Sequence, residues 1–328
     1  MQASATRPTT DTLETIEEQV REGAAEASPW IEGLGRFGYA AKGVVYLIIG
    51  WLAVQAALGR GGEATDQRGA MAHIAEAPFG RSLLVVLAVG LLGYALWQVV
   101  RAVLDTDHKG TDAKGLFWRA IHAGVAAIYV GLAWSAFRIA TEAGELQGGT
   151  ETLQDWTAWL MGQPLGPWLV GLIGACVVLN GLFQFRQALK SRLTDDLSLT
   201  DLGAEHREWI TRIGRAGYAA RGVAFLMIGG FLVTAALHAN PGEAQGLDGA
   251  LATLAGQPFG PYLLGLVAAG LAAWGVFALV EARYRRMVIC PPPHASPPRT
   301  IPSATGQDPV DATRPGVQEQ RQRLRPLR

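Results

Sequence analysis

Six stretches of this chain are apolar for long enough to cross a bilayer, and that sets the fold class before any motif is considered. They run, roughly, over Phe37–Leu58, Gly80–Leu104, Leu116–Ala140, Leu165–Leu189, Gly217–Leu237 and Gly260–Val280. A helix needs about 20 apolar residues to traverse the hydrocarbon core. A backbone in lipid must satisfy its own hydrogen bonds, so the runs read as helices. Composition agrees, with 49% of the 328 residues hydrophobic and 17% charged, against about 25% charged in globular chains. The expectation is an all-α, polytopic membrane protein.

The runs are related to one another. "RFGYAAKGVVYLIIGW" begins at Arg36 and "RAGYAARGVAFLMIGG" at Arg215; across Arg36–Leu58 and Arg215–Leu237, 14 of 23 positions are identical. The second run of each half repeats as well, "APFGRSLLVVLAVGLL" (Ala77–Leu92) against "QPFGPYLLGLVAAGLA" (Gln257–Ala272). A weaker middle copy pairs "RAIHAGVAAIYVGLAW" (Arg119–Trp134) with "QPLGPWLVGLIGACVV" (Gln163–Val178). Each copy reads helix, outer loop, Pro-x-Gly, helix. Each begins on the same side of the membrane, so three parallel two-helix repeats with a pseudo-threefold arrangement are expected. Before the Pro-x-Gly lie spaced apolar residues (Leu153, Trp156, Trp159 and Leu160; Leu251 and Leu254), which predict short interfacial helices. The chain divides into an acidic N-terminal segment (1–32), repeats at 33–107, 117–193 and 212–287, and a Pro/Arg-rich tail (288–328) that reads as disordered.

Lys and Arg set the orientation. Thirteen flank the side on which the chain starts, before the tail is counted, against Arg60, Arg68, Arg81 and Arg138 on the other. Both termini are therefore expected in the cytoplasm, with the protein multi-pass in the cell (inner) membrane. The N-terminus carries no signal-peptide pattern.

Three tandem two-helix units carrying "GYAAKG…YLIIGW" and "PFG" segments resemble a bacterial integral membrane family catalogued as Domain of Unknown Function 1206. The resemblance covers about Gly33 to Met287. It implies the repeat fold and membrane placement, and no catalytic residue. The middle copy departs from the pattern, with His122 in the place of Tyr39 and Tyr218, and Val125 in the place of the cation.

That cation is the main candidate for function. Lys42 and Arg221 occupy one slot of the first helix, and charges inside spans are functional candidates by default. Lys42 lies six residues past Arg36, about 9 Å along a helix. At that depth the first expectation is snorkelling to the interface; the alternative is an interior site for an anion or lipid headgroup. Tyr39, His122 and Tyr218 stand one turn earlier on nearly the same face, and Gln98, Gln184 and Asn180 recur on the even spans. All are candidate interior polar residues, read either as packing and interhelical hydrogen bonds or as the lining of a wet path.

The remaining segments offer little chemistry. Asp105–Leu116 has a partial calcium-loop spacing but fails at Lys109 and Leu116. His73 and Glu76 read as a solvated face. Asp11–Ala25 reads as a short amphipathic helix. Cys176 and Cys290 form neither a disulfide framework nor a zinc pattern. No metal, no cofactor, no catalytic set and no nucleic-acid partner is expected, the net charge being zero. The partners expected are the bilayer and, through the basic tail, anionic lipid. Two functions fit: a small-solute or ion pathway along the repeat axis, or a membrane assembly, scaffold or lipid-binding protein without transport.

Overall fold

A computed structural model describes residues 10–62, 64–104, 113–141, 148–189, 197 and 203–285, with backbone only for 10–28, 104, 113 and 114. These residues form α1 (Thr10–Ala57), α2 (Gln67–Glu76), α3 (Gly80–Leu104), α4 (Ala113–Thr141), α5 (Gly149–Met161), α6 (Gly166–Leu189), α7 (Ala204–His238), a 3₁₀ turn (Pro241–Glu243), α8 (Leu247–Ala255) and α9 (Gly260–Tyr284). The long segments of α1, α3, α4, α6, α7 and α9 are the six helices apolar enough to cross a membrane. The calcium-like stretch at 105–112 and the tail fall outside the described residues.

The N-terminal amphipathic helix is not a separate element. It continues through Pro29 into the first span as one helix. A proline inside a helix removes one backbone hydrogen bond, and the helix continues on both sides of Pro29 despite it.

The helices pack in cyclic order. The most extensive interfaces join the second helix of one repeat to the first helix of the next: α3 with α4, α6 with α7, and α9 with α1. Each is built on the same pair of small residues. Gly43 meets Gly275, Gly222 meets Gly181, and Ala126 and Ala95 hold the equivalent buried places. A Cβ on Gly43 would sit 2.9 Å from the Gly275 carbonyl oxygen, and one on Gly275 would sit 2.8 Å from that of Gly43. Small residues allow such backbone approach, and dispersion and hydrogen bonding then hold helices together in lipid.

Within the repeats, α1 packs on α3 and α7 on α9, whereas α4 and α6 do not lie side by side. The sequence supplies the reason. Gly38 on α1 and Gly217 on α7 let the backbones of Tyr94 and Trp274 come close; a Cβ there would stand 2.7 Å from either Cα. The middle repeat has Ile121 at that position, and a β-branched side chain keeps the neighbour away. The threefold ring is therefore open along one seam. Its two walls touch near the termini side, where the Trp118 and Phe183 rings are 5.6 Å apart.

Helices α2, α5 and α8 are the expected interfacial helices, and they form a platform on the face opposite the termini. Asp66 caps α2, its Oδ1 accepting from the backbone N–H groups of Arg68 (3.1 Å) and Gly69 (3.0 Å). The α5 N-terminus is capped from another repeat: Asp248 of α8 accepts from Thr150 N (3.2 Å) and Thr150 Oγ1 (2.6 Å). Arg68 donates to Thr152 Oγ1. The platform thus ties the three repeats by hydrogen bonds beyond the apolar spans.

The Pro-x-Gly turns explain how each platform helix hands over to the next span. The middle residue is left-handed in all three, with φ of 62° at Phe79, 63° at Leu165 and 63° at Phe259. The glycine N–H closes the turn on the carbonyl before the proline, at 2.8, 2.9 and 2.7 Å. Glycine does not take the left-handed place because it is needed one residue later. A Cβ on Gly80, Gly166 or Gly260 would run into carbonyls of the preceding platform helix. The strained residue points outward, with Phe79 85%, Leu165 72% and Phe259 78% exposed. With exposed Trp156, Trp159 and Trp168, they form an apolar and aromatic rim of the kind found at membrane interfaces.

Candidate functional site

The interior of the bundle, on the termini side of its middle, is aromatic and cationic. Gly38 brings Tyr94 against α1, and Gly217 brings Trp274 against α7. Tyr39 and Tyr94 meet edge to face at 5.0 Å, Tyr94 and Tyr129 lie 4.5 Å apart, and Tyr218 stands 4.6 Å from Trp274.

Lys42 does not snorkel. It is 6% exposed, and its Nζ donates to Tyr94 Oη at 3.4 Å. The same ammonium lies 4.9, 4.7 and 5.2 Å from the rings of Tyr39, Tyr94 and Trp274. The expectation from depth alone is corrected by packing: one turn away, Gly38 draws an aromatic wall over the stem, so the ammonium exchanges an interfacial position for three π faces. Arg221 also turns inward. Its Cζ lies 4.4 Å from the Trp274 ring, 5.2 Å from Phe225 and 5.8 Å from Tyr46.

The two cations therefore share one indole, and among the described residues no carboxylate lies within ion-pair distance of either. The one buried carboxylate nearby, Glu281, already accepts from Arg285 Nη1 at 2.6 Å. Cation–π contacts reach about 2 kcal/mol each when desolvated, against several kcal/mol to bury an ion, so the rings offset much of the cost. They do not accept every hydrogen bond. Arg221 Nε and Trp274 Nε1 are buried donors with no acceptor among the described residues. The site is rich in donors and poor in acceptors.

The other candidates do not join this cluster. His122 turns instead to the neighbouring repeat, its Nδ1 lying 3.4 Å from Gln98 Nε2 across α3 and α4. Gln98 also accepts from Arg101 Nη1 at 3.2 Å. Both belong to an interhelical network. Gln184 is buried on α6. Asn180 is exposed, contrary to its expected interior place. It fills the slot of Tyr94 and Trp274, but the α4–α6 seam leaves it uncovered.

On the platform side of Lys42 is a cavity of about 10 Å³, lined by Lys42, Tyr46, Gln67, Tyr129 and apolar neighbours, which is room for one water molecule. Gln67 Nε2 closes its far end by donating to Tyr46 Oη at 3.4 Å. Among the described residues no cluster of His, Cys, Asp and Glu could hold a metal ion.

Sequence reasoning missed Trp274 and Glu281. The signal for Trp274 was its alignment with Tyr94, which faces the cation Lys42 of its own repeat. Glu281 lies just past the predicted end of the last span and aligns with Arg101 and Gln187, which hides a carboxylate behind dissimilar residues.

Three two-helix repeats, joined cyclically and enclosing cations in an aromatic interior, define an all-α, polytopic repeat protein. The chain belongs to the family described as Domain of Unknown Function (DUF1206), which matches it over residues 37–105, 121–191 and 216–285. It is 37% identical over 262 residues to the Uncharacterized protein YxxB of Bacillus subtilis (strain 168), covering 80% of this chain and 94% of that protein. No solved structure matches it.

Proposed function

We propose that this is a membrane protein that binds an anionic, acceptor-rich group inside the bundle, at Lys42, Arg221 and Trp274. One observation carries the reading. Among the described residues, two buried N–H donors, Arg221 Nε and Trp274 Nε1, have no acceptor, and neither Lys42 nor Arg221 has a carboxylate within ion-pair distance. Leaving a buried donor unmade costs about 1–3 kcal/mol, and charge-assisted bonds to an oxyanion would recover it.

The role is binding and not catalysis. Aromatic rings crowd the axis and the cavity beside Lys42 has room for one water molecule, which favours binding at the half-buried Arg221 over an open solute path along the axis. The bias of Lys and Arg supports a reading in which both termini, and so this site, face the cytoplasm.

The test is the thermal unfolding of the full-length chain in neutral detergent as inorganic phosphate is added. Phosphate should raise the melting temperature of the wild type and leave Lys42→Met/Arg221→Gln unmoved. Equal shifts in both proteins would sink the reading.

A further inference from the structure

Between α4 and α6, alone among the neighbouring helices of the ring, the described residues form no packed interface. From this seam we infer that the anion bound here is the headgroup of an anionic phospholipid, which enters sideways between α4 and α6 and leaves its acyl chains along the seam. This rests on the anion-binding reading above and adds the class of ligand and its route.

Three observations converge. First, the seam is the position at which repeats 1 and 3 are closed by Gly38 against Tyr94 and Gly217 against Trp274. Ile121 replaces the glycine in repeat 2. The faces left unpaired carry Ile121 and Ile128 on α4 (37% and 63% exposed) and Ile173 on α6 (47% exposed). The spacing of seven keeps Ile121 and Ile128 on one face of α4. A groove of aliphatic side chains takes hydrocarbon, and a soluble anion gains nothing from it.

Second, the polar end of the groove lies at the depth of the cations. Asn180 occupies the slot of Tyr94 and Trp274, the two residues that contact Lys42 and Arg221. It stands exposed in the seam, where its side-chain amide can donate to a phosphate oxygen. Arg221, on the α7 helix that packs against α6, is only half-buried, whereas Lys42 is fully enclosed. Trp274 is 3% exposed, and its N–H has no acceptor among the described residues.

Third, the contact of Trp118 with Phe183 bridges the seam on the termini side. An anion arriving from water on that side meets this contact, whereas a lipid already in the membrane meets the open part of the seam. A headgroup drawn to Arg221, six residues past Arg215, moves about one and a half helical turns inward, which the charge and the donors favour.

The experiment uses the full-length chain in nanodiscs of phosphatidylcholine and phosphatidylglycerol, the latter carrying a photoreactive diazirine on an acyl chain. After illumination, labelled peptides are identified by mass spectrometry. The expected result is labelling concentrated on α4 and α6, about tenfold lower in Lys42→Met/Arg221→Gln, reduced in Asn180→Leu, and retained in Lys42→Arg/Arg221→Lys. The last variant separates loss of charge from loss of fold. Labelling spread evenly around the bundle and equal in the charge-removed variant, with the phosphate-dependent melting shift intact, overturns the lipid inference and leaves the anion site standing. Loss of charge dependence in both measurements overturns both.

Discussion

Lys42 and Arg221, 179 positions apart in the chain, approach the same indole: Lys42 Nζ lies 5.2 Å and Arg221 Cζ 4.4 Å from the Trp274 ring. Trp274 is thus both a shared π partner and, through Nε1, a hydrogen-bond donor. Trp274→Phe keeps an aromatic face and deletes the donor. The expected result is a phosphate-dependent melting shift reduced by roughly threefold to tenfold in apparent affinity, with the ligand-free melting temperature changed far less. Trp274→Ala, which also removes the π face and opens a cavity, should lower stability by about 3–5 kcal/mol. An unchanged affinity in Trp274→Phe would exclude the indole N–H from the site.

Closure of the outer repeats depends on two hydrogen atoms. Gly38→Ala and Gly217→Ala each place a methyl group against the backbone of the facing helix, and overpacking of this kind costs about 1–3 kcal/mol. Both should lower the unfolding midpoint in detergent. Gly124→Ala is the control, since a Cβ there meets nothing within 4 Å; it should leave the midpoint unchanged or raise it slightly through helix propensity. Similar losses in all three would dissociate the seam from glycine packing.

Asp66 gives the platform a pH dependence. Burial raises its carboxyl above the ordinary aspartate range, and Asp248 nearby adds to the rise, while the Gly69 and Arg68 N–H bonds oppose it. The folded state then holds this proton more tightly than the unfolded state does, so Asp66 alone lowers stability as pH rises through its titration. Asp66→Asn keeps an oxygen to cap α2 and does not titrate. Relative to that variant, the wild type should gain melting temperature as pH is lowered from neutral to the ordinary aspartate value. A difference that is flat or of opposite sign would show that Asp66 does not set the dependence.

Asp248 holds α5 from outside its own repeat, through Thr150 N and Oγ1. Asp248→Ala removes both bonds and should cost about 1–2 kcal/mol. Hydrogen exchange should locate the effect in α5, which is distant in sequence. Asp248→Asn, which still accepts hydrogen bonds, should recover most of the protection. Faster exchange confined to α8 would contradict the cross-repeat cap.

Much of this architecture was legible in the residues themselves. Apolar runs longer than a bilayer core, three copies of one pattern and a Pro-x-Gly at each hand-over determine six spans, their parallel order and the platform helices. Each of these is local or periodic, so it survives in a linear string. The inward direction of Lys42 was not legible, because a long flexible side chain can point to either medium and the choice belongs to the neighbour that Gly38 admits. The open seam was half visible, as Ile121 standing in a glycine slot, but its consequence needs both helices in place. The exposure of Asn180, the sharing of one indole by two cations and the donors left without an acceptor among the described residues are relations between spans. Only the tertiary structure decided those, because backbone approach across helix pairs selects which side chains share a volume.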